Sequence, residues 1–390
     1  MEICKHDQFC GGCIHQGTPY EKQVEMKGRE VLRLLDAKEV KYERFLGIEG
    51  SPKQYAYRNK MEYTFGDQVK DGEMTLGMHQ KGRFMSIVTV DECQLVNTDF
   101  NIILKAVLEF CNKHEYKFYH KKTHKGLMRN LIIRKGERTR ELLINVVTSS
   151  QMEFDEKAFV ECMQGLSLEN ELVGVLRTIN DGLADAVNCD ELRILWGRDH
   201  YMEKIMGLDF KVSAFSFFQT NIEAVERLYT EALQLIDNLE GKTVFDLFCG
   251  TGTITQALAL RAKMAIGVEL VAEAVEAAKV NAELNGLENC QFIAGDVFDV
   301  LDHIAEKPDV IVVDPPRMGI QNKTLSKILD YGVKQIVYIS CNPKTLAENL
   351  QFMQLHGYEV KTVKAFDNFP MTKHVETIIM MTKCGSEGKK

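Results

Sequence analysis

From about residue 220 onward the chain alternates short apolar runs with turns and helical stretches, and this rhythm constrains its fold more than any other feature. Strand candidates are Thr243–Phe248, Met264–Val268, Cys290–Ile293, Val310–Val313 and Gln335–Ser340. Helices fit between them at Thr253–Arg261, Ala272–Asn285 and Pro343–His356. Alternation of this kind predicts a parallel sheet covered on both faces. Glu359–Ala365 and Val375–Met381 read as a final hairpin that closes the sheet. In an open α/β sheet the carboxyl ends of the strands line the ligand crevice. The residues at those ends are therefore the first place to look for chemistry.

The first such end is Asp246-Leu247-Phe248-Cys249-Gly250-Thr251-Gly252. Glycines between a strand and a helix let backbone amides approach a ligand closely. A dinucleotide site wants a third glycine, and Thr255 stands there instead, which weakens a hydride-transfer reading. Glu269 ends the next strand, where its two carboxylate oxygens can take two ribose hydroxyls. Asp296, after Gly295, can serve the adenine side. These spacings resemble the S-adenosylmethionine-binding fold of class I methyltransferases. Asp314-Pro315-Pro316-Arg317 makes a rigid rim, because each proline fixes φ and removes an amide donor. Adenine-amino methyltransferases have a related turn with an aromatic residue after the prolines; Arg317 in that place argues against amino-group methylation.

Ser340-Cys341-Asn342-Pro343 ends the last parallel strand and abuts a helix start, where amide donors and the helix dipole favour a thiolate. Thiolate addition at carbon 6 of uracil turns carbon 5 into a nucleophile that can take an activated methyl group. A base must then remove the carbon 5 proton, and Glu376 is the candidate, with His374 the alternative. A structural cysteine and a surface carboxylate are the plainer readings of these residues. Cys111, Cys162, Cys189, Cys249 and Cys290 are read as small hydrophobes.

Cys4 and the pair Cys10-Gly11-Gly12-Cys13 suggest a metal or iron–sulfur site one ligand short. Cys93, in a polar turn after a strand, is the best completing residue, and spacing alone leaves zinc open. Between residues 30 and 210 short alternating runs with turn signals suggest antiparallel strands. Leu131–Lys135 with Glu141–Val147 reads as a hairpin, Arg83–Val90 as a strand and Asp99–Cys111 as a helix. The expected organisation is a cysteine segment over 1–16, an α+β domain over 17–212 and a Rossmann-like domain over 213–384.

The chain of 390 residues carries a net charge of −8, yet nine basic residues from Lys117 to Arg140 face a single acid, Glu137. With Tyr116, Phe118, Tyr119, His120 and His124 interleaved, this stretch reads equally as a phosphate-tracking patch or as a solvated hairpin. Eleven cysteines, an odd number, fit a reducing cytosol better than a disulfide framework. The start has no apolar signal core and no run suits a membrane helix, so a cytoplasmic protein without a membrane partner is expected.

Taken in order, Cys4, Cys10-Gly11-Gly12-Cys13, Tyr57-Arg58-Asn59-Lys60, Gly77-Met78, Ser216-Phe217-Phe218-Gln219-Thr220-Asn221, the glycine turn, Asp314-Pro315-Pro316-Arg317, Ser340-Cys341-Asn342-Pro343 and Phe369-Pro370 through Glu376 resemble the RNA uracil-5-methyltransferase family. The resemblance is to its iron–sulfur branch, which acts on 23S ribosomal RNA. It implies that Gln219, Phe248, Glu269 and Asp314 bind S-adenosylmethionine, that Cys341 is the nucleophile and that Glu376 is the base. It also implies a [4Fe-4S] cluster on Cys4, Cys10, Cys13 and Cys93, and RNA contacts from Arg58, Asn59 and Lys60. Many relatives carry a small β-barrel TRAM domain before the first cysteine; this chain begins just ahead of Cys4 and resembles the shorter members. A monomer is expected. The competing expectations are a transfer-RNA enzyme with the same chemistry and a non-catalytic iron–sulfur RNA-binding assembly factor.

Overall fold

The computed structural model describes residues 2–184 and 187–385. Val310–Val313 and Gln335–Ser340 are buried at every position, as strands covered on both faces must be. They stand in an eight-stranded sheet ordered Tyr42–Glu49, Tyr358–Phe366, Glu376–Lys383, Gln335–Ser340, Val310–Val313, Thr243–Leu247, Met264–Glu269 and Cys290–Ala294. The α/β, Rossmann-like expectation holds, and the five predicted strands sit within a residue of their observed ends.

One strand decides where the chemistry converges. Glu376–Lys383 inserts antiparallel between Gln335–Ser340 and Tyr358–Phe366, with Ser340 opposite Thr377 and Phe366 opposite Glu376. Reversal of direction brings the start of that strand to the end at which its neighbour delivers Cys341. A parallel strand in the same slot would have carried Glu376 to the far edge.

The domain grouping over 17–212 does not match the sheets. Tyr42–Glu49 pairs parallel with Tyr358–Phe366 and forms an edge of the eight-stranded sheet. The preceding helix Tyr20–Ala37 buries Val31 and Leu35 in the same core as Val313 and Tyr338. The strand's mixed burial carries no periodic sign of which sheet it joins, so only long-range pairing could reveal it.

The second sheet runs Arg83–Thr89, Met74–Gln80, Lys60–Asp67, Met128–Lys135, Glu141–Thr148, Glu171–Ile179 and Glu191–Gly197. All its pairings are antiparallel except that of Glu141–Thr148 with Glu171–Ile179, which is bridged by the helix Glu156–Gln164. Phe100 and Leu104 of the helix Thr98–Lys113 and Phe159 pack on Tyr63 and Ile144 of this sheet. A hairpin, His200–Ile205 with Leu208–Ser213, joins the two halves. Its Tyr201 and Phe210 share one apolar core with Leu143 and Leu176 on one side and Val225 and Leu228 on the other.

Candidate active site

The glycine turn is built under constraint. Phe248 has φ of 71°, a left-handed conformation rare for an aromatic residue. Amides of Phe248 and Cys249 both donate to the Val268 carbonyl, at 2.9 and 3.0 Å. Strain of this kind costs on the order of 1–3 kcal/mol and concentrates at functional sites. At Gly252, with φ of 78°, a β-carbon would come within 2.7 Å of the Phe292 ring, so no larger residue fits. Open space surrounds Gly250, whose amide donates to Glu269 Oε2 at 3.1 Å, while the Val271 amide donates to Oε1 at 3.0 Å. Each oxygen keeps acceptor capacity, so the carboxylate is oriented and still free to take a pair of hydroxyls. Asp296 accepts from the Phe298 amide at 2.8 Å and starts the next short helix.

Thr255, in the place of the third glycine, has a definite task. Its hydroxyl donates to the fully buried Asp246 at 2.6 Å. Burial pushes the Asp246 carboxyl up to about 7. A group raised on folding contributes stability that is present below its ordinary value near 4 and is lost as pH rises through 7. Between pH 5 and 7.5, Asp246→Asn should therefore lose less stability than the unchanged protein, by a few kcal/mol at most. Equal losses in chemical denaturation at the two pH values would remove Asp246 as the cause.

Cys341 lies in a turn tied to the proline rim. Asn342 caps the helix Pro343–Leu355 through Lys344, and its Nδ2 donates to the Arg317 carbonyl at 2.8 Å. The Thr345 hydroxyl donates to the same carbonyl at 3.2 Å. The expectation of a favoured thiolate is corrected here. Burial pushes the Cys341 thiol up to about 11, neighbouring Glu376 and Asp314 add to the rise, and Arg317 only partly opposes it. Desolvation and two acidic neighbours outweigh the helix dipole, so the resting group is a thiol. Glu376 is buried and raised well above the carboxylate range, by desolvation first and Asp314 second. Burial and then Asp246 raise Asp314 to about 7. His374 is lowered by burial and then by Arg317, and so is neutral near pH 7.

Gln219, Phe248, Glu269, Asp296, Asp314, Cys341 and Glu376 all line one cleft of about 1700 Å³. A small-molecule site typically occupies ~300–1,000 Å³, so this cleft has room for a cofactor and a nucleotide together. Arg58, Phe217, Tyr229, Phe369 and His374 also line it. Phe217 is 69% exposed at the cleft. Tyr229 gave no sequence signal, since it sits among the apolar residues of a helix; its hydroxyl accepts from Gln219 Nε2 at 3.0 Å. Asn59 is buried, and its side chain donates to the Gln219 carbonyl at 3.1 Å.

The basic stretch divides in the fold, with three of its nine basic residues buried. Arg129 is buried and donates to the carbonyls of Asn180, Gly182 and Ala184. Arg134 is buried against the Ser216 carbonyl, Lys135 pairs with Glu137 and Arg138 with Glu226. Lys117, Lys122, Lys125, Arg138 and Arg140 are exposed. Linear counting of charges missed the backbone carbonyls and Glu226, which Arg129, Arg134 and Arg138 meet in the fold.

At the N-terminus no group of three or more His, Cys, Asp or Glu among the described residues is arranged to hold a single metal ion. The four cysteines are nonetheless electrostatic neighbours. Burial raises Cys93 to about 12, and Cys13, Cys10 and Cys4 each add to that rise. Cys13 is raised to about 11, by burial first, with Cys10 and Cys4 adding to it. The Gly12 amide already donates to Cys10 Sγ at 3.3 Å. All four are half-buried free thiols.

Comparison with known proteins settles the family. A family model described as "tRNA (Uracil-5-)-methyltransferase" matches residues 193–384. An "uncharacterized RNA methyltransferase" of Clostridium acetobutylicum is 49% identical over 97% of this chain and 83% of its own length. Another from Bacteroides thetaiotaomicron is 36% identical over 98% of this chain and 87% of its own. The chain belongs to the RNA uracil-5-methyltransferase family. It is an S-adenosylmethionine-dependent RNA methyltransferase. The solved Pyrococcus abyssi tRNA (uracil-54, C5)-methyltransferase, in complex with S-adenosyl-L-homocysteine, superposes with a TM-score of 0.79 at 25% identity, over 96% of this chain and 86% of that one. Among the described residues of this methyltransferase no helix is long and apolar enough to cross a membrane.

Proposed function

We propose that this methyltransferase makes 5-methyluridine in 23S ribosomal RNA, acting as a monomer in the cytoplasm through a covalent bond between Cys341 and carbon 6 of the target base. The observation that carries the reading is the meeting of Cys341, just past the end of one strand, and Glu376, at the start of its neighbour, in the cleft that also holds the glycine turn and Glu269. S-adenosylmethionine, when bound, supplies an electrophilic methyl group on a positively charged sulfur. Glu269 holds its ribose hydroxyls, Asp296 faces the adenine side, and Gln219, Phe248 and Asp314 line the rest of its site. A positive charge there offsets the crowding of Asp314, Glu376 and Cys341, and so lowers the cost of ionising them.

The target uridine must leave its stack to expose one face of its ring. Cys341 loses its proton to solvent and adds as the thiolate to carbon 6, and the electron pair of the carbon 5–carbon 6 double bond moves onto the adjacent carbonyl as an enolate, which makes carbon 5 nucleophilic. Once carbon 5 carries the methyl group, the Glu376 carboxylate takes the carbon 5 proton and Cys341 leaves as a thiolate.

A transfer-RNA substrate is the second reading, supported by the similarity to the Pyrococcus abyssi tRNA (uracil-54, C5)-methyltransferase. Mass mapping of both RNA classes from a strain lacking the gene separates the two. Loss of one 5-methyluridine from 23S RNA is expected; loss from transfer RNA alone would overturn the ribosomal assignment.

Cys4, Cys10, Cys13 and Cys93 are proposed to hold a [4Fe-4S] cluster. Protein purified without oxygen should be brown and contain about four irons per chain, and Cys93→Ser should lose them. Stoichiometric zinc without iron would count against the cluster.

A further inference from the structure

The loop between the strands Tyr358–Phe366 and Glu376–Lys383 leads directly into Glu376, and it is held by groups outside the cleft. Gln23, on the helix Tyr20–Ala37, is 0% exposed. Its Oε1 accepts from the Met371 amide at 3.0 Å, and its Nε2 donates to the Thr18 carbonyl at 2.8 Å and lies 3.2 Å from Met371 Sδ. The Met371 carbonyl in turn accepts from the amides of Ile14 and His15, at 2.9 and 3.2 Å, immediately after Cys13. One turn along the same helix, Lys27 donates to Asp367 Oδ1 at 2.5 Å and to the Phe369 carbonyl at 3.0 Å. Both charged side chains are buried, at 3% and 0% exposure. Tyr57 completes the set by donating to the Pro370 carbonyl at 2.9 Å.

Two features separate this arrangement from ordinary core packing. Met371 is held with φ of 67°, a strained conformation that persists only where its surroundings impose it. A buried ion pair is also a poor source of stability, because desolvation offsets its attraction, whereas it does fix geometry. Phe369, His374 and Glu376, which line the cleft, lie on or at the end of the segment so held.

We infer that Gln23 and Lys27 are positioning residues: through Met371, Asp367 and the Phe369 carbonyl they set the loop that aims Glu376, and they tie it to the cysteine segment. This rests on the reading of Glu376 as the base. Neither residue touches the cleft; they act through backbone that does. A base displaced by a fraction of an ångström should still permit methyl transfer, since Cys341 sits in a separate turn after Gln335–Ser340, but should slow removal of the carbon 5 proton.

Gln23→Leu, which keeps the bulk and removes every hydrogen bond, should lower kcat roughly 10- to 100-fold, the scale of a small misplacement. KM for a 23S RNA transcript and the affinity for S-adenosylmethionine should stay within about two-fold, because this is an effect on geometry rather than on binding. A covalent enzyme–RNA species should build up on ordinary uridine RNA. Amide hydrogen exchange should quicken over residues 369–372 and stay unchanged over 248–253. A lower melting temperature with normal kcat, no trapped species and unchanged exchange would overturn the inference. If Gln23→Leu fails to bind S-adenosylmethionine, and so has not folded, Met371→Gly takes its place. That substitution frees the backbone at the strained position and should give the same stall; full turnover without the trapped species would again overturn it. Failure of the parent reading is visible separately, as absence of any covalent species from the unchanged enzyme on 5-fluorouridine RNA.

Discussion

Cys341→Ala should abolish methylation, lowering turnover roughly 10⁴-fold or more, as expected when a covalent nucleophile is taken from groups that act as a unit. Without addition at carbon 6, carbon 5 of uracil has no electron density to offer a methyl group, and the remaining residues can only bind. The result is read with RNA carrying 5-fluorouridine, which has no proton to remove at carbon 5. The unchanged enzyme should remain bound to it through denaturing electrophoresis when S-adenosylmethionine is present, and the variant should give neither product nor adduct. S-adenosylmethionine binding should survive, because Glu269 and the glycine turn are held by backbone amides remote from Cys341. Substantial turnover by Cys341→Ala would sink the covalent mechanism.

Glu376→Gln should act later and leave a different trace. The amide is close in shape, and Cys341 is untouched, so addition and methyl transfer proceed. Removal of the carbon 5 proton should fall by about 10²–10⁴-fold, the usual contribution of a positioned base. The enzyme should then accumulate on ordinary RNA as a covalent, already methylated complex. Because Glu376 is raised well above the carboxylate range in the free protein, the unchanged enzyme should lose turnover as pH falls and the carboxyl takes up its proton. A Glu376→Gln protein that turns over normally, with no trapped complex, would move the role of base to His374, which lines the same cleft.

Several local features were legible because they rest on local physics. Val310–Val313 and Gln335–Ser340 are continuous apolar runs, and such runs flanked by turns and helices have few other ways to be buried. Gly252 and the proline pair announce backbone that only those residues tolerate. The candidate residues at strand ends followed from the same rule, and all of them line one cleft. Charge counting did worse. Lys117–Arg140 looks like one basic patch in the chain, yet Arg129 and Arg134 are spent on carbonyls brought in from residues far away, Arg138 meets the distant Glu226, and Lys135 pairs with Glu137 inside the stretch. The helix start after Cys341 likewise promised a thiolate, but the dipole is a weak, short-range effect, and desolvation beside two acids that fold in from other strands overcomes it.

By itself the sequence determined the parallel sheet, the glycine turn and the kinds of groups available for chemistry, because each depends on residues within a turn or two of one another. Only the tertiary structure decided that Tyr42–Glu49 would complete the methyltransferase sheet, that an antiparallel strand would carry Glu376 to Cys341, and that Gln23 and Lys27 would reach across the chain to the loop before it. Those outcomes depend on pairing and burial between segments as much as 348 residues apart, and no local pattern encodes which partner such a segment will meet.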